Sequence, residues 1–125
     1  MPSRTPAVPE SVRLAAQTCL DLKAEHVVIL DLHGVSDMTD YFVIASGTSD
    51  THVRALGERV QDALRAAGER PTHVEGLPQG RWVLLDYVDF VVHLFHPALR
   101  QFYQLERLWG DAEVVPLRAQ QGAGA

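Results

Sequence analysis

Apolar residues recur at helical spacing in three stretches of the chain and form short strand-like runs in five others. From about Pro9 to Lys23, Val12, Ala15, Ala16, Cys19 and Leu22 fall three or four residues apart, and Pro9 suits a first helical turn. His26–Leu32 is apolar and rich in β-branched residues, so it reads as a buried strand. Gly34 to Asp40 is a polar connection, and Tyr41–Ala45 is a second strand. Ser46-Gly-Thr-Ser49 then turns the chain into a helix that Thr48 or Ser49 can cap. That helix carries Val53, Leu56, Val60, Leu64 and Ala67 on one face, and Gly68 suits its end. A short strand runs through Val74, and Gly76 to Gly80 is a turn. Trp82–Tyr87 and Phe90–Phe95 are close enough to form a hairpin. Pro97 opens a last helix with Leu99, Phe102, Leu105 and Leu108 or Trp109 along one side, ending at Gly110.

The order α-β-β-α-β-β-β-α predicts an α/β fold, or α+β, with helices packed on a mixed five-stranded sheet. Strand order does not follow from it. Residues 1–8 read as a loose arm, 9–115 as one domain, and 116–125 as a disordered tail. At 125 residues and 13.8 kDa the chain has room for one core without disulfide staples.

Charge narrows the function classes. The net charge is −5, and Lys23 is the only lysine beside ten arginines. Residues 21–50 hold Asp21, Glu25, Asp31, Asp37, Asp40 and Asp50 against Lys23 alone. Such a chain repels a phosphate backbone, which argues against autonomous DNA or RNA binding. A neutral or cationic ligand, or a basic protein partner, fits better. Cys19 is the only cysteine, so no intramolecular disulfide can form, and its apolar neighbours mark it as a core residue. The first ten residues lack a signal-peptide pattern, and no apolar run is long enough to span a bilayer, so a cytoplasmic location is expected.

Candidate chemistry is sparse. His93-x-x-His96 has the odd offset that sends strand neighbours to opposite faces, and no third metal ligand sits at a recognisable spacing. His33 and His52 read as hydrogen-bonded surface or packing residues rather than catalysts. Ser46–Ser49 precedes a helix N-terminus, which can bind anions, but no dinucleotide or P-loop glycine pattern accompanies it. Asp86 and Asp89 flank a tight turn, where aspartate serves structure. No catalytic, cofactor-binding or metal-binding residue is assigned. The most informative stretch is Arg81–Tyr87, where Trp82, Leu84 and Asp86 alternate with Val83, Leu85 and Tyr87. One set must face a core, and the other can present tryptophan and leucine beside a carboxylate, a common interface anchor.

The segments Thr39–Ile44, Ser46–Ser49 with His52-Val53, Glu75-Gly76, Trp82–Asp86, Asp89–His93 and Phe102–Trp109 occur in an order that resembles the ribosomal silencing factor, or Iojap-like, family. The resemblance runs from about Asp21 to Ala112. It implies a nucleotidyltransferase-like fold without that fold's catalytic motif, and a protein that is not an enzyme. It further implies binding to the fourteenth protein of the large ribosomal subunit on the intersubunit face. Small-subunit joining is then blocked, and translation is repressed under nutrient limitation or in stationary phase. A homodimer of the free protein is also implied. On this reading Trp82 and Leu84 are apolar anchors with Asp86 as their charged neighbour. Tyr103 and Glu106 are second choices on the last helix, and Glu75 and Asp89 extend an acidic rim. The competing reading is a nucleotide-binding or nucleotidyltransferase-like enzyme that uses the Ser46–Ser49 turn.

Overall fold

Two amphipathic helices close one face of a six-stranded sheet in the computed structural model, which describes residues 8–98 and 112–117. Helix α1 (Glu10–Asp21) starts behind Pro9, with Glu10 in its positive first turn, and buries Val12, Ala15, Ala16 and Cys19. Helix α2 (Asp50–Ala66) starts at Ser49, whose Oγ accepts the His52 N–H at 3.1 Å. It buries Val53, Leu56, Gly57, Val60 and Leu64. Ala67, placed on the same stripe by its spacing, is exposed instead, because the helix stops one residue earlier and Ala67 is its C-cap. Gly68 follows with φ of +88°, and the Glu69 N–H closes the end on the Leu64 carbonyl at 2.8 Å.

The strands are β1 (Glu25–Asp31), β2 (Tyr41–Ser46), β3 (His73–Glu75), β4 (Trp82–Asp86), β5 (Phe90–Phe95) and β6 (Glu113–Val115). They lie in the order β3-β4-β5-β2-β1-β6. Only β2 and β5 run parallel, from Tyr41 beside Phe90 to Ser46 beside Phe95; every other pair is antiparallel. The five expected strands are present. The sixth is three residues long, too short to show a period, and exists through its pairing with β1. The last helix lies outside the described residues beyond Ala98.

The period-two pattern sorts side chains between two apolar layers. Ile29, Tyr41, Val43, Ala45, Val83, Leu85, Tyr87, Val92 and Leu94 meet α1 and α2 in the main core. Cys19 belongs to that core, and burial pushes its thiol up to about 12, which makes it inert. Leu30, Leu32, Ile44 and Phe95 form the second layer, with Val28, Phe42, Trp82 and Ala112 packed around them.

Gly76 sets how closely the β3–β4 turn can fold. Its φ is +77°, and an added Cβ would stand 2.0 Å from the Trp82 carbonyl oxygen. Gly34 has a similar φ, +81°, but open space around it. Gly76→Ala should therefore destabilise the fold by at least about 2 kcal/mol, while Gly34→Ala costs about 1 kcal/mol. Urea midpoints of the two variants check this. Equal losses would show that the close approach at Trp82 contributes nothing.

Candidate protein-binding surface

Strand β4 divides its side chains as its alternation predicts. Val83, Leu85 and the following Tyr87 are buried under the helices, and Trp82, Leu84 and Asp86 are half-buried on the opposite face. Pairing with β3 brings Glu75 directly opposite Leu84. Glu75, Gly76, Trp82 and Leu84 line one open cleft of about 260 Å³. Three residues assigned separately from sequence thus share a site. Glu75 is held by His73, whose Nε2 pairs with its Oε2 on the exposed edge of the sheet.

The other assigned residues lie elsewhere. Asp86 stands at the far end of the same outward row, about 13 Å from Trp82 by strand rise. Its Oδ1 accepts the Val88 N–H at 2.8 Å, so this carboxylate shapes the hairpin turn. Asp89 is exposed beyond that turn, and its carbonyl accepts the Asp40 N–H at 2.9 Å. Tyr103 and Glu106 lie outside the described residues.

His93 is the residue that spacing alone did not single out for this surface. Beside Leu84 in the β4–β5 ladder, it faces the second layer rather than the helices. Phe42 meets its ring edge-on at 4.6 Å between centroids, and Phe95 stacks parallel at 6.1 Å. The Trp82 Nε1–H donates to His93 Nδ1 at 3.3 Å, while the Trp82 ring packs 5.0 Å from Phe95. An accepting Nδ1 puts the proton of the neutral ring on Nε2. That nitrogen is buried and finds no hydrogen-bond partner among the described residues. Burial pushes the imidazole down from its ordinary 6.5 to about 4, so it is neutral at physiological pH. The signal in the sequence was its parity: His93 shares a face with Phe95 and pairs with the outward row of β4.

The remaining candidates have structural occupations. The Gly47 N–H donates to the Phe95 carbonyl at 2.9 Å and the Thr48 N–H to His52 Nδ1 at 2.9 Å. His52 Nε2 meets the Leu22 carbonyl at 2.8 Å, tying the start of α2 to the end of α1. With Ser49 capping and Asp50 in the first turn, the Gly47 and Thr48 donors are used within the protein, and a phosphate here would meet a negative neighbour. His96 lies 3.9 Å from Asp50 and is apart from the His93 layer. No group of three or more His, Cys, Asp or Glu suited to a metal ion occurs among the described residues. No helix among them is long and apolar enough to cross a membrane.

Comparison with known proteins gives one consistent result. Residues 5–124 match the family model described as "Ribosomal silencing factor during starvation". The chain is 42% identical over 106 residues to "Ribosomal silencing factor RsfS" of Bacillus subtilis (strain 168), covering 85% of this chain and 90% of that protein. It is 32% identical to "Mitochondrial assembly of ribosomal large subunit protein 1" of Mus musculus, over 69% of this chain and 39% of that protein. A crystal structure of a Chromobacterium violaceum protein superposes with a TM-score of 0.80 at 35% identity, covering 84% of this chain and 88% of that one.

The buried histidine makes stability depend on pH with a defined sign. Between pH 6.5 and about 4 the unfolded chain binds a proton that folded His93 refuses. Stability is therefore full above that window and falls as pH drops through it, by up to about 3 kcal/mol. Urea unfolding from pH 7 to 4 should show this loss in the wild type and a shallower one in His93→Gln. Equal slopes would remove His93 as the titrating group.

Proposed function

The chain belongs to the ribosomal silencing factor family, and on that premise we propose that it binds the large ribosomal subunit through the fourteenth ribosomal protein, on the intersubunit face. The bound 13.8 kDa body then obstructs the small subunit, and translation falls without any bond being made or broken. The observation that carries the reading is the Trp82–Leu84 pair in the cleft beside Glu75. These apolar side chains are half-buried on the sheet face turned away from α1 and α2. Interfaces of standard size bury about 800 Å² on each partner, with a few such anchors supplying most of the energy.

Charge supports the same partner class. An acidic body gains encounter rate and orientation toward a basic ribosomal protein. The mouse relative's name, with its large-subunit assembly, supports the choice of subunit. Tyr103 and Glu106 remain second anchors on sequence grounds, with Asp86 and Asp89 as acidic neighbours. The proposal places the protein in the cytoplasm, with the anchor face open to a second copy when no ribosome is bound. Against the alternative, a nucleotide-binding or nucleotidyltransferase-like enzyme, stand the Gly47 and Thr48 N–H groups of its motivating turn, which are bonded within the protein.

Sucrose-gradient sedimentation with purified large subunits tests this. The wild type should co-migrate stoichiometrically and reduce the yield of joined ribosomes. Trp82→Ala should weaken binding by about 2 kcal/mol or more. Leu84→Glu, which sets a like charge beside Glu75 and spares the Phe95 packing, should weaken it by at least about tenfold. Circular dichroism confirms folding of each variant. Absence of the wild type from the large-subunit fractions at low salt would overturn the function. Unchanged binding by both variants would overturn the surface.

A further inference from the structure

Four large hydrophobic side chains stand exposed among the described residues: Met38 at 86%, Val114 at 61%, Val88 at 56% and Val35 at 43%. All four lie at one end of the sheet. Val35 and Met38 are in the loop between β1 and β2, Val88 tips the β4–β5 hairpin, and Val114 pairs with Leu30 near the end of β1. The loop and the hairpin are joined. Thr39 Oγ1 donates to the Val88 carbonyl at 2.9 Å, and the Asp40 N–H donates to the Asp89 carbonyl at 2.9 Å. Val88 has φ of +76° inside a turn closed by the Asp89 N–H on the Tyr87 carbonyl at 2.9 Å. A β-branched residue is strained there, and the fold holds its isopropyl group outward.

The same end gathers carboxylates. Asp31, Asp37, Asp40, Asp86, Asp89 and Glu113 fall in residues 31–41, 86–90 and 112–117, which contain no lysine or arginine. Asp31 is buried and takes the N–H and Nδ1 of His33 at 2.9 and 2.7 Å. Asp40 lies 3.5 Å from His33 Nε2. Among the described residues, Arg13 of α1 reaches this end through its charge on Tyr41. Asp37, Asp89 and Glu113 are exposed.

We propose that this end of the sheet is a second docking surface, for a cationic polypeptide segment in which basic and apolar side chains alternate. Four exposed aliphatic groups supply area, and the surrounding carboxylates select the sign of the partner. The same ring repels RNA and anionic lipid. It also repels its own copy, since two such ends would bring like charges together. The surface is separate from the Trp82–Glu75 cleft, and it stands whether or not that cleft binds the ribosome.

Methyl NMR of the full chain tests it with three probes: a short peptide alternating Arg and Leu, the same peptide with Glu for Arg, and a single-stranded RNA. The basic peptide should shift the methyls of Val35, Met38, Val88 and Val114 selectively, leaving Val12 and Leu56 in place. Asp37→Lys with Glu113→Lys should weaken that binding by about tenfold, and Met38→Ser by a few-fold. No shifts at millimolar peptide, shifts scattered over all acidic surfaces, or equal response to the acidic peptide would overturn the proposal. So would selective shifts with RNA, or shifts on dilution of the protein alone, which would name RNA or a second copy as the occupant.

Discussion

The parallel pairing of β2 with β5 at the centre of the sheet is the constraint on which the other features depend. Parallel neighbours need a crossover, and here α2, β3 and β4 lie between them in the chain. The crossover puts α2 against α1 on one face and leaves β4 beside β5 with its Trp82–Leu84–Asp86 row on the other. Strands that run the same way also begin at the same end. The loop before β2 and the turn before β5 are therefore adjacent, and the Thr39–Val88 and Asp40–Asp89 bonds fasten them. Of the acidic residues in 21–50, Asp31, Asp37 and Asp40 join Asp86 and Asp89 at that end, while Glu25 and Asp50 lie at the opposite end of the sheet.

The second layer supplies the contacts that hold the proposed anchor in place. Trp82 is fixed on one side by Phe95 and at its indole nitrogen by His93. A side chain already confined to one rotamer loses less entropy on binding than a free one. The histidine serves this end because it is neutral: a protonated Nδ1 could not accept from the indole. Desolvation favours the neutral form in this layer, and it leaves Nε2 buried without a described partner. A polar group is thus kept in an apolar layer at some cost in stability, beside the surface proposed to bind.

Much of this was legible from local pattern. The split of β4 into Val83, Leu85 and Tyr87 against Trp82, Leu84 and Asp86 is set by strand geometry and survives unchanged. A cap at Thr48 or Ser49, of which the structure uses Ser49, and Gly68 as terminator follow from short-range chemistry, as does the structural role of Asp86 in its turn. Beyond the β4–β5 hairpin, which the short spacing predicts, the pattern could not provide pairing. Strand order rests on contacts between residues far apart in sequence, and β3 and β6 are too short to carry a period. Glu75 joins Trp82 and Leu84 because the β3–β4 register sets it opposite Leu84. In the sequence His93 stands only as a candidate metal ligand with His96; the β4–β5 register is what sets it beside Leu84 on the outward row.

The outward row of β4 links the two surfaces in one direction. Trp82 and Leu84 open on the cleft, and Asp86, two residues further, borders the acidic end. Over about 13 Å the chemistry changes from aromatic and aliphatic to carboxylate. Carboxylates stand at the other end as well, at Glu25, Asp50 and Glu75, so acidic groups border both surfaces. On the proposed function, a basic partner is drawn and oriented by these carboxylates before contact, and the apolar anchors meet it only in the final pose. Orientation of that kind raises the encounter rate without adding to the buried area. The proposed steric exclusion benefits from it, because a blocking factor must occupy its site before the competing subunit arrives.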